Sequence, residues 1–290
     1  MKNKGALLLA LVLALCLGSR ARAACRYELL QVHAVSGRQG ICTEAGMYWV
    51  SGSGTLEKYD SSWTLVAENR DPFAGYALEV NHIGDIDVYN NELYLGVEYF
   101  KEGEGKNIQV AVYDGDTLKL KRVFPFRADT GQMECSGIAV DPDSRTVYLT
   151  SWIDDESSEA LYMYDLDTGE YRGKLWMQPS PKWLQGIACF EGSLYLTCDD
   201  GDAGENAPDH MYRIDLSEGD GTGQVRLEKT FDDVIRQGEI EGLTFDEERG
   251  QLLVLYNRGA KIIAGMPTGF YEGYSEEVHE VFVYDMAEGN

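Results

Sequence analysis

The chain has 290 residues, of which 44% are hydrophobic and 11% aromatic. This is enough apolar material for one large packed domain or two modest ones, which excludes a disordered chain. Asp and Glu number 49 against 25 Lys and Arg, so the formal net charge is -24. A surface of this sign repels phosphate backbones and anionic lipids, which excludes nucleic acid as a partner.

The N-terminal segment 1–23 has the pattern of a secretory signal peptide. Two lysines precede an apolar run over 6–17, and the last three residues, Ala-Arg-Ala, have the small-x-small form of a cleavage site. The run is too short to span about 30 Å of hydrocarbon, and no later segment is apolar enough to do so. We therefore expect export to the periplasm or the extracellular space, a single mature domain over 24–290, and no membrane span.

The cysteines predict few crosslinks. Cleavage after Ala23 removes Cys16 and leaves five cysteines, an odd number for an oxidising compartment, so at most two disulfides can form. Cys42, Cys135 and Cys189 lie in apolar strand patterns next to Gly-Ile steps, which favours small buried thiols. No Cys or Cys/His spacing is typical of a metal site.

Five repeats dominate the remaining sequence. Each repeat opens with a small residue followed by an aliphatic one, and the openings are Gln39-Gly40-Ile41, Gly84-Asp85-Ile86, Ser136-Gly137-Ile138, Gln185-Gly186-Ile187 and Glu241-Gly242-Leu243. A second apolar run follows, and then a third run that ends at Asp60, Asp114, Asp165, Asp215 or Asp285. The runs are short, rich in Val, Ile, Tyr and Leu, and separated by turn residues, which is typical of strands in antiparallel hairpins.

A fourth, more polar run follows the terminal aspartate of a repeat, except in the fifth repeat, where only five residues follow Asp285. The segment 27–35 is a spare strand at the other end of the chain, so we expect the two ends to pair and close the fold. Four antiparallel strands repeated five times predict an all-β fold, a five-bladed β-propeller. Six blades are the alternative, because 71–80 is a long connection of uncertain form.

The long loops of this expected propeller lie at one end of its channel. The first strand of each blade lines the channel, and the loops between second and third strands emerge on one face. Those loops are long in this sequence, at 96–108, 151–158, 198–210 and 257–278. Long loops on a rigid scaffold are where binding sites are usually built, so we expect this face to carry the function.

Polar residues converge on the same end of the channel. Carboxylates gathered in a low dielectric repel one another, so either their pKa values rise or a cation neutralises them. The candidate catalytic residues are Glu134, Glu239, Glu241 and His82, and the candidate substrate-binding residues at this end are Asn81, Asp85, Gln185, Trp183 and Gln39. For any single side chain, the alternative is that it caps a strand end and bonds to water in the channel.

The acidic segment 198–209 is a candidate cation site. Asp200, Asp202 and Glu205, with glycines that let the backbone turn, resemble the oxygen-rich loops that fold around calcium. The segment lacks the twelfth-position acid of an EF-hand, and solvation also explains an acidic loop in so acidic a chain. Ca²⁺ is therefore the one candidate cofactor, and no organic cofactor is indicated.

The loop 257–278 begins with basic residues in an otherwise acidic protein. Asn257 and Arg258 are candidate substrate ligands, because Arg258 together with Lys261 could hold a carboxylate or phosphate group. The two bases are equally explained as counter-charges to acids nearby in the sequence.

The repeat openings, each followed by a Leu-Tyr-Leu type strand, resemble those of exported bacterial propellers. These include the five-bladed glutamine cyclotransferases, the gluconolactonase-like calcium propellers and the phytase-like propellers, in which Glu-Gly-Leu-Thr-Phe-Asp, present over 241–246, recurs. The likeness covers nearly the whole mature chain through scaffold motifs. Likeness to the cyclotransferases implies that Glu134, Glu239 or Glu241 is the acid/base and that Trp183 is the surface on which substrate stacks.

Likeness to the lactonase group implies instead a cation held by Glu241, Asp85 and Asn81. The sequence thus favours an exported enzyme acting on a small polar molecule, a hydrolase, a lactonase or a cyclotransferase, in which a calcium ion or carboxylates stabilise developing charge. The alternative is a noncatalytic propeller that binds a carbohydrate or a peptide. In either case we expect a monomer.

Overall fold

The computed structural model describes residues 25–288, apart from 154, 219, 220 and 264. The expected signal peptide at 1–23 lies outside the described residues. The described part consists of β-strands and one short 3-10 helix, Glu156–Glu159, so the predicted all-β class is confirmed. Within that part, no helix is long and apolar enough to cross a membrane.

In chain order the strands are β1 (Cys25–Ala34), β2 (Gly40–Glu44), β3 (Met47–Gly52), β4 (Thr55–Tyr59), β5 (Leu65–Asn69), β6 (His82–Tyr89), β7 (Glu92–Lys101), β8 (Glu104–Asp114), β9 (Leu120–Val123), β10 (Ile138–Asp141), β11 (Thr146–Leu149), β12 (Ala160–Asp165), β13 (Tyr171–Gln178), β14 (Leu184–Phe190), β15 (Ser193–Cys198), β16 (His210–Asp215), β17 (Thr222–Thr230), β18 (Gly238–Asp246), β19 (Gln251–Arg258), β20 (Ala260–Ile263), β21 (Met266–Phe270) and β22 (Val278–Glu288).

Hydrogen bonding groups these strands into antiparallel units of four, which we number 1 to 5. Unit 1 is β2–β5, unit 2 is β6–β9, unit 3 is β10–β13 and unit 4 is β14–β17, and unit 5 contains β18, β19, β22 and β1 in that order. Units 3 and 4 also join edge to edge through a short parallel pairing of β13 with β17. The hairpin of β20 and β21 stands outside the units. The units correspond to the five repeats of the sequence.

The two ends of the described chain complete unit 5, as the sequence predicted. β1 pairs antiparallel with β22 along its length. Next to this seam, the Trp63 ring stacks on His33 of β1 and on Tyr48 of β3, with ring centroids 4.5 and 4.3 Å apart. The N-terminal strand therefore covers an edge of β22 that would otherwise be exposed to pairing with another chain.

The aspartate that ends the third run of a repeat shapes the turn that follows. Its carboxylate accepts a hydrogen bond from a backbone N–H two or three residues further on, in the pairs Asp60 with Ser62, Asp114 with Thr117, Asp165 with Thr168, and Asp215 with Ser217. Such turns connect the third strand of a unit to the fourth. These four acids therefore contribute to the scaffold and not to the site.

The first strands of the units, β2, β6, β10, β14 and β18, lie side by side in that cyclic order, and β18 returns to lie next to β2. In four of the units a glycine lies in the first strand or directly before it, where the strands converge, at Gly40, Gly137, Gly186 and Gly242. A Cβ atom on Gly242 would lie 2.3 Å from Asp85 Oδ1, and one on Gly40 would lie 2.6 Å from the same atom. Only glycine leaves room for this approach, and unit 2 has Asp85 at the equivalent position.

The Asp85 carboxylate occupies the centre of this ring of strands. Its Oδ1 accepts a hydrogen bond from Ile86 N at 2.8 Å, and its Oδ2 accepts one from Ile187 N of unit 4 at 3.2 Å. The side chain is buried, and burial raises its pKa. Asp85 thus accepts one hydrogen bond from its own strand and one from unit 4, does not line the cavity described below, and has a structural role in the ring; that it binds substrate stays a prediction.

Hydrophobic clusters fill the junctions between neighbouring units. One cluster lies at each of the five junctions, so the core runs around the ring. At the junction of units 5 and 1, Leu253 and Leu255 of β19 pack with Ile41 and Val50. Burial of such side chains contributes about 25 cal/mol per Å² of apolar surface, so closing the ring stabilises units 1 and 5 together.

The cysteines in the described residues fit the prediction of buried thiols in part. Cys42 and Cys135 are fully buried, whereas Cys189 is partly exposed. Cys198 is also buried. No disulfide joins any of these four, and the hydrophobic clusters rather than crosslinks hold the described part together.

We predict that Gly242→Ala lowers the free energy of unfolding by about 1–3 kcal/mol, because the added methyl group is forced against Asp85 and the backbone of β2. Urea denaturation measures this change. Gly54→Ala is the matched control, since its Cβ would meet the Phe73 ring at an ordinary 3.5 Å. Equal stability of the two variants would contradict the close approach of the first strands.

Candidate functional site

A cavity of about 210 Å³, the first cavity below, opens at one end of the ring. Its lining includes these residues predicted from the sequence: Gln39, Asn81, His82, Glu134, Gln185, Glu239 and Glu241. They come together because each lies in or shortly before the first strand of its unit. The sequence did not single out the remaining lining residues, which are Arg38, Ser53, Phe100, Ser136, Trp152, Gly265 and Met266.

Two hairpins form the rim of the first cavity. β7 and β8 stay paired almost to their turn and place Phe100 at the cavity, and the hairpin of β20 and β21 places Gly265 and Met266 there. The hairpins meet, since a Cβ on Gly265 would lie 3.1 Å from the Phe100 ring. The expectation of a loop over 96–108 is therefore wrong, because cross-strand pairing continues through most of this segment.

His82 is held between two partners inside the wall. Its Nε2 lies 2.9 Å from Gln39 Oε1, and its Nδ1 lies 3.2 Å from Glu98 Oε1. Burial lowers the pKa of His82 to about 4 and raises the pKa of Glu98 to about 8. Near neutral pH the pair is therefore uncharged, and the proton of Glu98 can bridge to Nδ1 while Nε2–H donates to Gln39.

Glu134 is the buried carboxyl group of the wall formed by unit 3. Its Oε2 accepts a hydrogen bond from Trp152 N at 2.6 Å. Burial, reinforced by the neighbouring Glu98, raises the pKa of Glu134 well above its usual range. The group can therefore be protonated near neutral pH, which is the state in which a carboxyl group acts as a proton donor.

Glu239 and Glu241 form the wall contributed by unit 5. Burial raises the pKa of Glu239 to about 7, against the opposing effect of Arg38. Burial and the charge of Glu239 raise the pKa of Glu241 well above its usual range. Arg38 is itself paired, since its Nη1 donates to Glu277 Oε1 at 3.2 Å. The wall therefore carries more acidic groups than this one guanidinium can neutralise.

Asn81 lines the first cavity and Trp183 lies behind Trp152, and both support its walls. The Asn81 amide makes two hydrogen bonds to the backbone of one residue, because Nδ2 donates to Phe100 O at 3.0 Å and Oδ1 accepts from Phe100 N at 2.7 Å. Asn81 therefore fixes the hairpin that carries Phe100. Trp183 does not line the first cavity; its ring packs against that of Trp152, with centroids 5.1 Å apart. Trp152 thus presents the aromatic surface that the sequence assigned to Trp183.

The two candidate residues at the start of the loop 257–278, Asn257 and Arg258, have different surroundings in the structure. Asn257 is buried opposite Glu239 in the β18–β19 pairing, and neither of its amide atoms has a hydrogen-bond partner among the described residues. Arg258 Nε donates to Glu280 Oε2 at 2.9 Å, and its Nη1 donates to Tyr274 Oη at 3.2 Å. Arg258 does not line the first cavity, and these partners hold its guanidinium group; that it binds substrate stays a prediction.

The residues of the expected calcium loop have other partners. Asp200 Oδ1 lies 2.8 Å from His210 Nδ1, and its Oδ2 accepts a hydrogen bond from Tyr212 Oη at 2.6 Å. Asp202 caps the following turn, and Glu205 is exposed. Between residues 25 and 288, leaving aside the four that the structure omits, no group of three or more His, Cys, Asp or Glu side chains could hold a metal ion.

The cation set implied by likeness to the lactonases is not assembled in the first cavity. Asn81 and Glu241 line this cavity, but Asp85 does not. Backbone N–H groups also donate to both Asp85 oxygens and to Asn81 Oδ1. The chemistry that the first cavity can perform with its own side chains is therefore acid/base chemistry.

Glu98 and Arg38 are the charged residues that the sequence analysis missed. Glu98 interrupts an otherwise apolar run in β7, and Arg38 directly precedes a repeat opening, so both had a local signal. Phe100, Trp152 and Met266 had no such local signal in the sequence. They reach the first cavity because two hairpins and the segment after β11 bend towards it, and this depends on contacts between units.

The fold is similar to that of a solved bacterial enzyme, the glutaminyl cyclase of Myxococcus xanthus. The two superpose with a TM-score of 0.61 at 12% identity, covering 93% of this chain and 100% of the other. A gluconolactonase from Xanthomonas campestris matches with a TM-score of 0.47 at 13% identity, over 82% of this chain and 68% of that one. No protein-family model and no curated protein matches the sequence. The similarity to the Myxococcus xanthus structure confirms the resemblance to bacterial propellers at the level of the fold.

We predict that the free energy of unfolding falls as the pH rises from 6.5 to 8. Glu98 has a folded-state pKa of about 8 and an unfolded value near 4.3, so the folded state binds more protons throughout this range. Below about pH 6.5 the lowered pKa of His82 has the opposite effect, because the unfolded state then binds the extra proton.

Denaturation of Glu98→Gln at pH 6.5 and at pH 8 isolates this contribution. Between pH 6.5 and pH 8 the free energy of unfolding should fall by about 1.5 kcal/mol less in Glu98→Gln than in the wild type. The reason is that one bound proton contributes about 1.4 kcal/mol per pH unit. Glu79→Gln, which removes an exposed carboxylate, serves as the control and should keep the wild-type slope. An unchanged slope in Glu98→Gln would contradict a raised pKa at this position.

Proposed function

We propose that units 1 to 5 are the blades of a five-bladed β-propeller and that the first cavity is the active site of an enzyme acting on a small polar molecule. The specific reaction proposed is cyclisation of a glutaminyl substrate, in which an amino group attacks a carboxamide of the same molecule and ammonia leaves. The observation that carries this proposal is the set of buried carboxyl groups with raised pKa values around one cavity.

The arrangement of the first strands supports a count of five blades. They lie next to one another in a cycle, and pairing of β1 with β22 supplies the fourth strand of unit 5. The segment 71–80, which left room for a sixth blade, contains no strand. The similarity in fold to the Myxococcus enzyme supports the proposal at the level of architecture.

Cyclisation requires one proton to move from the attacking nitrogen to the leaving one. The new carbon–nitrogen bond forms as the amine loses a proton, and the carbon–nitrogen bond of the carboxamide breaks as ammonia gains it. A carboxyl group whose pKa lies near the working pH can accept and then donate this proton. Glu134 suits the role, because it lines the first cavity, burial raises its pKa, and the hydrogen bond from Trp152 N to its Oε2 holds the carboxyl group in place.

The other walls suit the binding of such a substrate. Glu239 and Glu241 together attract an amino group, and Gln185 offers an amide for hydrogen bonding to a carboxamide. Phe100 and Trp152 add apolar surface that excludes water. His82 has the role of a positioning residue, since it is uncharged near neutral pH and orients Gln39.

The same proposal includes export after removal of residues 1–23 and a monomeric state. The alternative is a noncatalytic propeller that only binds such molecules, and the experiment below separates it from an enzyme. An exported enzyme of this class would act on peptides or free amino acids outside the cytoplasm. A noncatalytic propeller would bind the same molecules without releasing ammonia.

We predict that Glu134→Gln lowers kcat/KM for a glutaminyl amide by about 10²–10⁴-fold, the usual contribution of a general acid/base. Release of ammonia by the purified mature protein measures the rate, and thermal unfolding checks that the variant folds. Glu102→Gln, at an exposed hairpin tip, is the matched control and should keep full activity. Full activity in Glu134→Gln would contradict the assigned role, and no turnover by the wild type would favour the binding propeller.

A further inference from the structure

Arg38 brings a positive charge to the first cavity, and the reaction proposed above does not use it. Among the described residues that line this cavity, Arg38 alone is a lysine or an arginine. It lies two residues before Gly40, at which β2 begins, and its side chain is partly buried. A base held at the cavity of so acidic a protein points to a ligand that carries negative charge.

The contacts of Arg38 fix its guanidinium group and leave donors for a ligand. Nη1 donates to Glu277 Oε1 at 3.2 Å and to Oε2 at 3.3 Å, and Nη2 donates to Ser53 Oγ at 3.4 Å. Ser53 itself lines the first cavity. A guanidinium group has five N–H donors in a planar fork, more than these contacts use, and the fork matches the geometry of a carboxylate.

A second basic group shares the carboxylate of Glu277. His279 Nδ1 lies 2.7 Å from Ser36 O, and because a carbonyl oxygen only accepts, Nδ1 carries a proton. His279 Nε2 lies 3.2 Å from Glu277 Oε2, a contact that is favourable when Nε2 also carries a proton. Glu277 therefore divides its charge between His279 and Arg38, and the positive charge of Arg38 is only partly compensated.

The carboxyl groups of unit 5 supply the opposite charge. Glu241 lines the cavity, is only 3% exposed, and its side chain makes no hydrogen bond within the described part of the chain. An unpaired buried polar group is costly, so a ligand that donates to Glu241 stabilises the site. Burial raises the pKa of Glu239 to about 7, so this group ionises near neutral pH. The other titratable groups of the lining, Glu134 and His82, are uncharged there, as described above.

The guanidinium group and these acids enter the cavity from adjacent strands. Gly242 N of unit 5 donates a hydrogen bond to Gln39 O of unit 1 at 2.9 Å, which joins the backbones directly beside Glu241 and Arg38. The two hairpins meet across the rim, so the space of about 210 Å³ suits a small molecule more than an extended chain. The first cavity is therefore shaped for a small ligand with opposite charges close together.

We propose that the first cavity binds a free α-amino acid, with its α-carboxylate on Arg38 and its α-ammonium group on Glu239 and Glu241. In an α-amino acid one carbon atom separates these two charged groups. The ammonium group has three N–H donors and no acceptor, which suits carboxyl oxygens. This inference rests on the proposed function and narrows its substrate to free glutamine, whose side-chain carboxamide is left for Glu134.

The test measures binding and does not depend on turnover. The purified mature protein is titrated by calorimetry at pH 7 with L-norvaline, whose side chain cannot cyclise, and with L-norvalinamide, which lacks the carboxylate. We expect norvaline to bind at least about tenfold more tightly, because its carboxylate accepts charge-assisted hydrogen bonds from Arg38. The acidic protein as a whole favours the cationic amide, so the opposite preference reports a local base. Equal affinities, or no binding of either compound, would overturn the inference.

Arg38→Met locates the carboxylate. This variant should lose the advantage of norvaline and keep the wild-type affinity for norvalinamide, which also shows that the variant folds. Arg122→Met is the matched control and should keep the advantage, since Arg122 is a partly buried base that pairs with Glu92 and does not line the first cavity. An advantage that survives in Arg38→Met would overturn the inference.

Release of ammonia separates this inference from the proposed reaction. A preference for norvaline without release of ammonia from glutamine would support the inference and contradict only the reaction. Faster release of ammonia from glutaminyl amide than from free glutamine would overturn the inference and leave the reaction supported.

Discussion

The convergence of five first strands on one carboxylate is the constraint from which the rest of the structure follows. The strands approach so closely that Gly40 and Gly242 have no room for a Cβ beside Asp85. Asp85 in turn accepts a hydrogen bond from Ile86 N in its own strand and one from Ile187 N of unit 4. The ring can form only if the last unit is completed, and β1 completes it by pairing with β22. Closure therefore determines which side chains meet at the end of the channel.

Closure also explains why acidic groups that are far apart in the sequence share one low-dielectric space. Glu134, Glu239 and Glu241 are buried because the strands that carry them converge, and burial is the largest cause of their raised pKa values. Burying these acids lowers the free energy of unfolding. The apolar clusters between the units compensate for this loss. Such a local conflict between burial and charge is expected at a functional site.

Periodicity made much of the fold predictable. The repeat openings, the terminal aspartates and the spare N-terminal strand predicted the strands, their antiparallel pairing and the seam between the chain ends. The sequence did not predict where a side chain points relative to the ring of first strands. Asp85 lies in a repeat opening like the residues of the first cavity, yet it points into the glycine ring. Arg258 looked like an unpaired base because Glu280, its partner, follows 22 residues later.

The candidate site was predictable where it depends on first strands and not where it depends on hairpins. Gln39, His82 and Glu134 reach the first cavity because their repeats place them at the same end of the channel. Phe100 and Met266 reach it because two hairpins meet across the rim, and no local pattern encodes that meeting.

Titration of the glutamate side-chain carboxyl resonances by ¹³C NMR tests the central claim most directly. If ring closure buries these acids in a shared cavity, the resonance of Glu98 should titrate near pH 8 and that of Glu239 near pH 7, each assigned by its loss in the corresponding Gln variant. Titration of both near the ordinary value of about 4.3 would contradict the account.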